Sequence, residues 1–173
     1  GHGHADTLSM ECSLFGQRLI VNTGSSEYGL GHRRDYERST SAHSTLEIDG
    51  YNSSEVWGGF RVGRRAHVSG LIIREDNTVS AEHDGYHFLP GSPTHKRSCS
   101  LMRKQLLIND YVYGPFSWAK IYFHIHPSIK VLLADDNQHG FFVFPDGSKV
   151  LWESTSEELS IQDNLYSLEF GRK

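Results

Sequence analysis

From Lys96 onward the chain repeats one unit about every ten residues: a short run of alternating or β-branched apolar sequence, then a turn signal. The runs fall at 98–102, 105–109, 119–124, 129–133, 140–144, 149–153 and 165–170. Their separators are Asn109-Asp110, Gly114-Pro115, Asp135-Asp136-Asn137 and Pro145-Asp146-Gly147. Segments this short are long enough to pair as strands and too short for a helix to bury a face. No stretch sustains the three- and four-residue apolar spacing of an amphipathic helix. The first half follows the same rule. Residues 5–21 form an expected hairpin turning at Gly16-Gln17, and 44–48 is a strand closed by Asp49-Gly50, a strong turn dipeptide. Residues 55–63 mix aromatics with glycines, as a bent or bulged strand does, and 66–74 and 78–82 flank an Asp76-Asn77 turn. The fold expected is all-β, an antiparallel β-sandwich of many short strands with no substantial helix, in one domain over 1–173.

Composition matters where it removes partners. With 37% hydrophobic residues the chain can bury a core, and its net charge of −4 argues against a general nucleic-acid binder. No apolar run reaches membrane-spanning length, so no membrane partner is expected. Cys12 and Cys99 read as ordinary thiols, with a disulfide left open. There is no signal peptide and no initiator Met, and Gly1 opens inside what reads as a strand, as in a piece of a longer protein.

Eleven histidines remain to be explained. His2 and His4 stand at i and i+2, which in a strand puts both imidazoles on one face. Asn22 lies at the end of the returning strand and is brought near His4 by the hairpin, and His43 follows the polar segment 27–42. Two imidazoles with an oxygen donor make a plausible metal set. The alternative is a group of polar residues at strand ends with no metal. Segment 27–42 is long and rich in Gly and Arg, and it carries Arg33, Arg34 and Arg38, suited to bidentate binding of an anionic sugar. His83-Asp84-Gly85-Tyr86 either lines a groove or forms an Asx-type turn with an incidental histidine. His124 and His126 share a strand face, with structural packing the preferred reading. Trp57, Phe60 and Trp118 read as core or sandwich-edge aromatics, with sugar stacking as the minority reading.

Taken together, these words resemble a known family. Residues 1–9 (Gly1-His2-Gly3-His4-Ala5-Asp6-Thr7-Leu8-Ser9), 19–24 and 38–45, followed by Asp49-Gly50, 54–58, 60–62, 83–86 and His126-Pro127, are similar in kind and order to the heparinase II/III-like β-domain. The resemblance runs from Gly1 to about Pro127 and implies a β-sandwich that follows an N-terminal α/α toroid. It implies a polysaccharide lyase, a carbon–oxygen lyase that cleaves uronic-acid-containing chains such as heparin, heparan sulfate or alginate by β-elimination. His2 matches the family's catalytic histidine; His4 and His43 match metal ligands, usually for Zn2+. Asn22 stands where many members carry an Asp ligand, which weakens the set because a neutral amide brings less charge to the cation. Arg33, Arg34, Arg38, His83 and Tyr86 are the expected substrate-binding residues. The expected partners are an anionic polysaccharide and the toroid, without which the domain alone should be inactive or nearly so. Family resemblance implies a periplasmic or secreted bacterial location and leaves a cytoplasmic one open. The competing reading is a non-catalytic carbohydrate-binding or structural sandwich in a surface-polysaccharide pathway.

Overall fold

The computed structural model describes residues 3–26, 28–156 and 159–167. Its regular elements run, in chain order, β1 (Cys12–Leu14), β2 (Gln17–Ile20), α1 (His32–Glu37), a 3-10 turn (Thr40–Ala42), β3 (Leu46–Ile48), β4 (Val56–Trp57) and β5 (Arg61–Val62). They continue with β6 (Val68–Ile73), β7 (Thr78–His83), β8 (Thr94–Met102), β9 (Gln105–Tyr113), β10 (Ala119–Ile121), β11 (Lys130–Leu133), β12 (His139–Val143) and β13 (Lys149–Glu153). Among the described residues every strand pairing is antiparallel, and the one α-helix has six residues. The chain is all-β, consistent with the expected antiparallel β-sandwich.

The turn chemistry sets much of this. Asp49 and Gly50 both take positive φ (51° and 76°), the geometry of the tight hairpin turn that Asp-Gly favours. The Asp49 carboxylate then accepts the N–H groups of Ser117 and Trp118, at 2.9 and 2.8 Å, so the turn fixes where β10 meets β3. Gly58 and Gly59, at φ 57° and 73°, turn β4 back onto β5; a bent strand was expected there, and a miniature hairpin forms.

The largest sheet runs β6-β7-β8-β9, with β11-β12-β13 a second meander. One core forms where Leu19 and Ile20 of β2 meet Ile129 and Phe144, with Met10, Leu14, Phe142 and Val150 around them. A second joins Leu46 and Ile48 of β3 to Tyr86 and Leu89, against Val112 of β9. The segment after β10 links the two: Tyr122 N–H bonds Thr45 O, then Val21 N–H bonds His124 O and His126 N–H bonds Leu19 O.

Several expectations change. Residues 5–11 are not strand: Ser9 N–H closes a turn on Asp6 O and Leu8 sits at φ 57°, which a strand cannot hold. Segment 27–42 is partly helical, because Glu37 pairs with Arg33 at i,i+4 and Arg34 at i,i+3. Trp57, Phe60 and Trp118 are 42–53% exposed, which fits the sandwich-edge reading and not the core one. The strand expected at 165–170 does not form over 165–167, and its remainder lies outside the described residues. Cys12 and Cys99 are both free thiols.

Candidate functional site

Backbone anchors bring the N-terminal segment to His43. Ala5 N–H bonds Arg38 O at 2.9 Å, Thr40 Oγ1 donates to Ala5 O at 2.8 Å, and Thr45 Oγ1 donates to Thr7 O at 2.8 Å. Arg38 is buried and spends its guanidinium on three carbonyls, those of Gly3, Trp57 and Arg61. That clamp holds residues 3–5 against α1 and the β4–β5 hairpin. On the other side Thr23 Oγ1 donates to Ala42 O at 3.0 Å and Ser44 Oγ to Val21 O, which set Asn22 beside His43.

The result is a contiguous polar cluster. His4 Nδ1 lies 3.2 Å from His43 Nε2, and Asn22 Nδ2 lies 2.9 Å from His43 Nδ1. His43 is fully buried and His4 partly so. Burial pushes both imidazoles down from the ordinary 6.5 to about 4; for His4 the neighbouring His43, Arg34 and Arg38 add to it, and for His43 the nearby His124 does. Both rings are therefore neutral at pH 7. The sequence-predicted members His4, Asn22 and His43 do come together; His2 lies outside the described residues.

The other expected contacts divide. Arg33 is the partly exposed one of its group, with Nε on Glu37 and NH2 3.0 Å from Ser167 Oγ. Arg34 is buried, with Nε on Gly59 O and NH1 on Ser25 Oγ. Arg34 and Arg38 thus hold the loop in shape, and a sugar would have to open it to reach them. His83 and Tyr86 are also interior: Tyr86 Oη donates to Leu46 O at 2.8 Å, and His83 lies between Gly85 N–H and His95. Their burial places them in the scaffold.

A second polar string was not anticipated. His124 Nε2 donates to Ser41 O at 2.9 Å, its Nδ1 faces Asn164 Nδ2 at 3.2 Å, and Asn164 Oδ1 accepts Tyr36 Oη at 2.7 Å. The sequence marked His124 only as half of a His-X-His pair. That pair is split, since His126 Nδ1 bonds Ser128 Oγ instead. Asn164 has no local signal at all.

Zinc takes three or more side-chain donors in protein sites, with Zn–N bonds of about 2.0–2.1 Å, which places two nitrogens about 3.3 Å apart. The 3.2 Å between His4 and His43 suits two ligands of one ion. Asn22 does not complete the set. Its amide faces the far nitrogen of His43, and its Oδ1 accepts Gly24 N–H at 2.9 Å. Among the described residues no group of three or more His, Cys, Asp or Glu is arranged to hold a metal. The described donors alone do not complete a zinc site, and His2 lies outside the described residues.

A family model described as heparinase II/III-like, C-terminal, matches residues 1–173. No curated protein and no solved structure gives a significant match. No helix among the described residues is long and apolar enough to cross a membrane.

Proposed function

Because the chain belongs to the heparinase II/III-like C-terminal family, matched over its whole length, we propose that it is the β-sandwich domain of a polysaccharide lyase working with an N-terminal α/α toroid. The substrate is a uronic-acid-containing polysaccharide of the heparin, heparan sulfate or alginate kind. In β-elimination a base takes the C5 proton, the C–H electron pair becomes the C4–C5 double bond, and the C4–O bond breaks. The departing oxygen then takes a proton. The C5 proton is weakly acidic, so the adjacent carboxylate has to be neutralised as charge builds on it.

The residues suit such a task in a particular division. His2 is the proposed acid/base of this domain. His4, neutral at pH 7 and accepting at Nδ1, keeps Nε2–H as a donor for the uronate carboxylate; a neutral imidazole can polarise an oxygen without being charged. Arg33 is the proposed guanidinium contact, while Arg34, Arg38, His83 and Tyr86 support the frame. The observation that carries the reading is the assembled His4–His43–Asn22 cluster beside an arginine-bearing helix, in a chain that the family model covers completely.

The test is absorbance of the unsaturated uronate product, with the protein carrying both domains and heparin, heparan sulfate and alginate as substrates. Wild type should release product from at least one of them, and His2→Ala should abolish release with an unchanged circular dichroism spectrum. Near-wild-type activity in His2→Ala removes that residue from the chemistry. Sugar binding without any product, in wild type, favours a non-catalytic carbohydrate-binding domain.

A further inference from the structure

The hydrogen bonds around His43 have only one self-consistent direction. Gly24 N–H is a main-chain donor and cannot change role, so the Asn22 atom facing it must be the carbonyl oxygen. Gly24 has little freedom to retreat: its φ is +86°, and a Cβ there would lie 2.3 Å from Ser167 O. With Oδ1 held, the Asn22 NH2 faces His43 Nδ1 at 2.9 Å and can only donate. His43 Nδ1 must then carry the lone pair, and a neutral ring must carry its proton on Nε2. That Nε2–H points at His4 Nδ1, 3.2 Å away, which accepts and leaves the His4 proton on Nε2.

We propose that Asn22 is a positioning residue that commits His43 to the Nε2–H tautomer, making the cluster a metal-independent relay from Gly24 through Asn22 and His43 to His4. The nitrogen a cation would need on His43 is the one that carries the proton. A carboxylate at position 22 reverses this. It accepts from Gly24 N–H and from His43 Nδ1–H together, which frees the His43 Nε2 lone pair beside that of His4. One atom, amide nitrogen or carboxylate oxygen, selects between relay and divalent-metal centre. Nothing here depends on the lyase reading.

Two measurements on the intact protein test it: the 15N shifts of histidine-labelled samples, with His43 assigned by its loss in His43→Gln, and zinc binding by calorimetry for wild type and Asn22→Asp. The expected result is a His43 Nε2–H tautomer and no stoichiometric zinc in wild type, with Asn22→Asp showing Nδ1–H and binding zinc about 10–100-fold more tightly, the range seen when a group orienting a ligand is changed. An Nδ1–H tautomer in wild type overturns the proposal. So does zinc bound by wild type as tightly as by Asn22→Asp, or no gain in the folded variant. Should Asn22→Asp not fold, the wild-type tautomer alone decides. None of these readouts is elimination, so a failed relay leaves the lyase assignment standing and a failed lyase assay leaves the relay standing.

Discussion

The pair His4–His43 and the pair His83–His95 are built alike and finished differently. Each string starts at a glycine N–H: Gly24 through Asn22 in one, Gly85 directly onto His83 Nδ1 in the other. Each continues through a hydrogen bond between two imidazole rings, at 3.2 and 2.9 Å. The second string then ends on a carboxylate: His95 Nε2 lies 2.6 Å from Asp110 Oδ1, and Arg97 closes on both Asp110 oxygens at 2.8 and 3.0 Å. Every group in it is satisfied inside the protein. The first string ends on His4, which is only partly buried. The difference teaches that a carboxylate and a guanidinium seal one histidine pair into the scaffold, while among the described residues nothing closes the other beyond His4.

The harshest way to break the comparison is to reopen the closed string. Arg97→Ala leaves the buried Asp110 carboxylate without its cation and should cost about 3–5 kcal/mol in urea unfolding. A loss under about 1 kcal/mol would show that the Asp110 end is not sealed by Arg97.

Acid should loosen both strings. The folded pKa values of His4 and His43, about 4, and of His83, about 3, all lie below the unfolded value near 6.5. For His83 burial is the main cause, with His95 next. Between those values the unfolded chain binds more protons, so stability is complete above about pH 6.5 and falls as pH drops toward 4 and then 3. The expected loss by pH 4 is on the order of a few kcal/mol, read from denaturant midpoints across that range. A flat profile from pH 7 to 4.5 would mean the rings are not held neutral.

Tyr86→Phe separates scaffold from sugar contact. It strips the buried Leu46 carbonyl of its donor and should lower stability by about 1–3 kcal/mol. Polysaccharide affinity of the folded variant should stay within about twofold, and a tenfold loss would return Tyr86 to the substrate. The smallest stability change belongs to the open end. His4→Gln should cost about 1 kcal/mol or less, the net worth of one hydrogen bond, while depressing any elimination activity at least tenfold in kcat. The reverse pattern, a stability loss with activity intact, would class His4 with His83.

Much of this was legible, and the illegible part has a common cause. The strands beyond Lys96 could be read because turn dipeptides and alternation are local. The meeting of His4, Asn22 and His43 could be read because chain order in the family words carried it. The burial of Arg34 and Arg38 could not, since their acceptors are carbonyls of Gly59, Trp57, Gly3 and Arg61, and any residue type supplies a carbonyl. His95 and Asp110 had a signal that was missed. A hairpin turning at Arg103-Lys104 puts Arg97 directly opposite Asp110, and that register exposes an ion pair with His95 one step along the same face. The role of Asn22 also lies beyond a one-letter code. It depends on which way an amide is turned, and a glycine two residues away decides that.

The outer arm of Arg97 gives these two strings a shared fate. Its NH1 reaches past the sheet to the carbonyls of Leu8 and Ser44, at 2.9 and 2.6 Å, the flanks of the segments that carry His4 and His43. A single side chain thus splices the open cluster into the cooperative unit of β8 and β9. Amide exchange near His43 should track the global opening of that hairpin rather than fray beforehand, and heating should remove site and sheet in one transition.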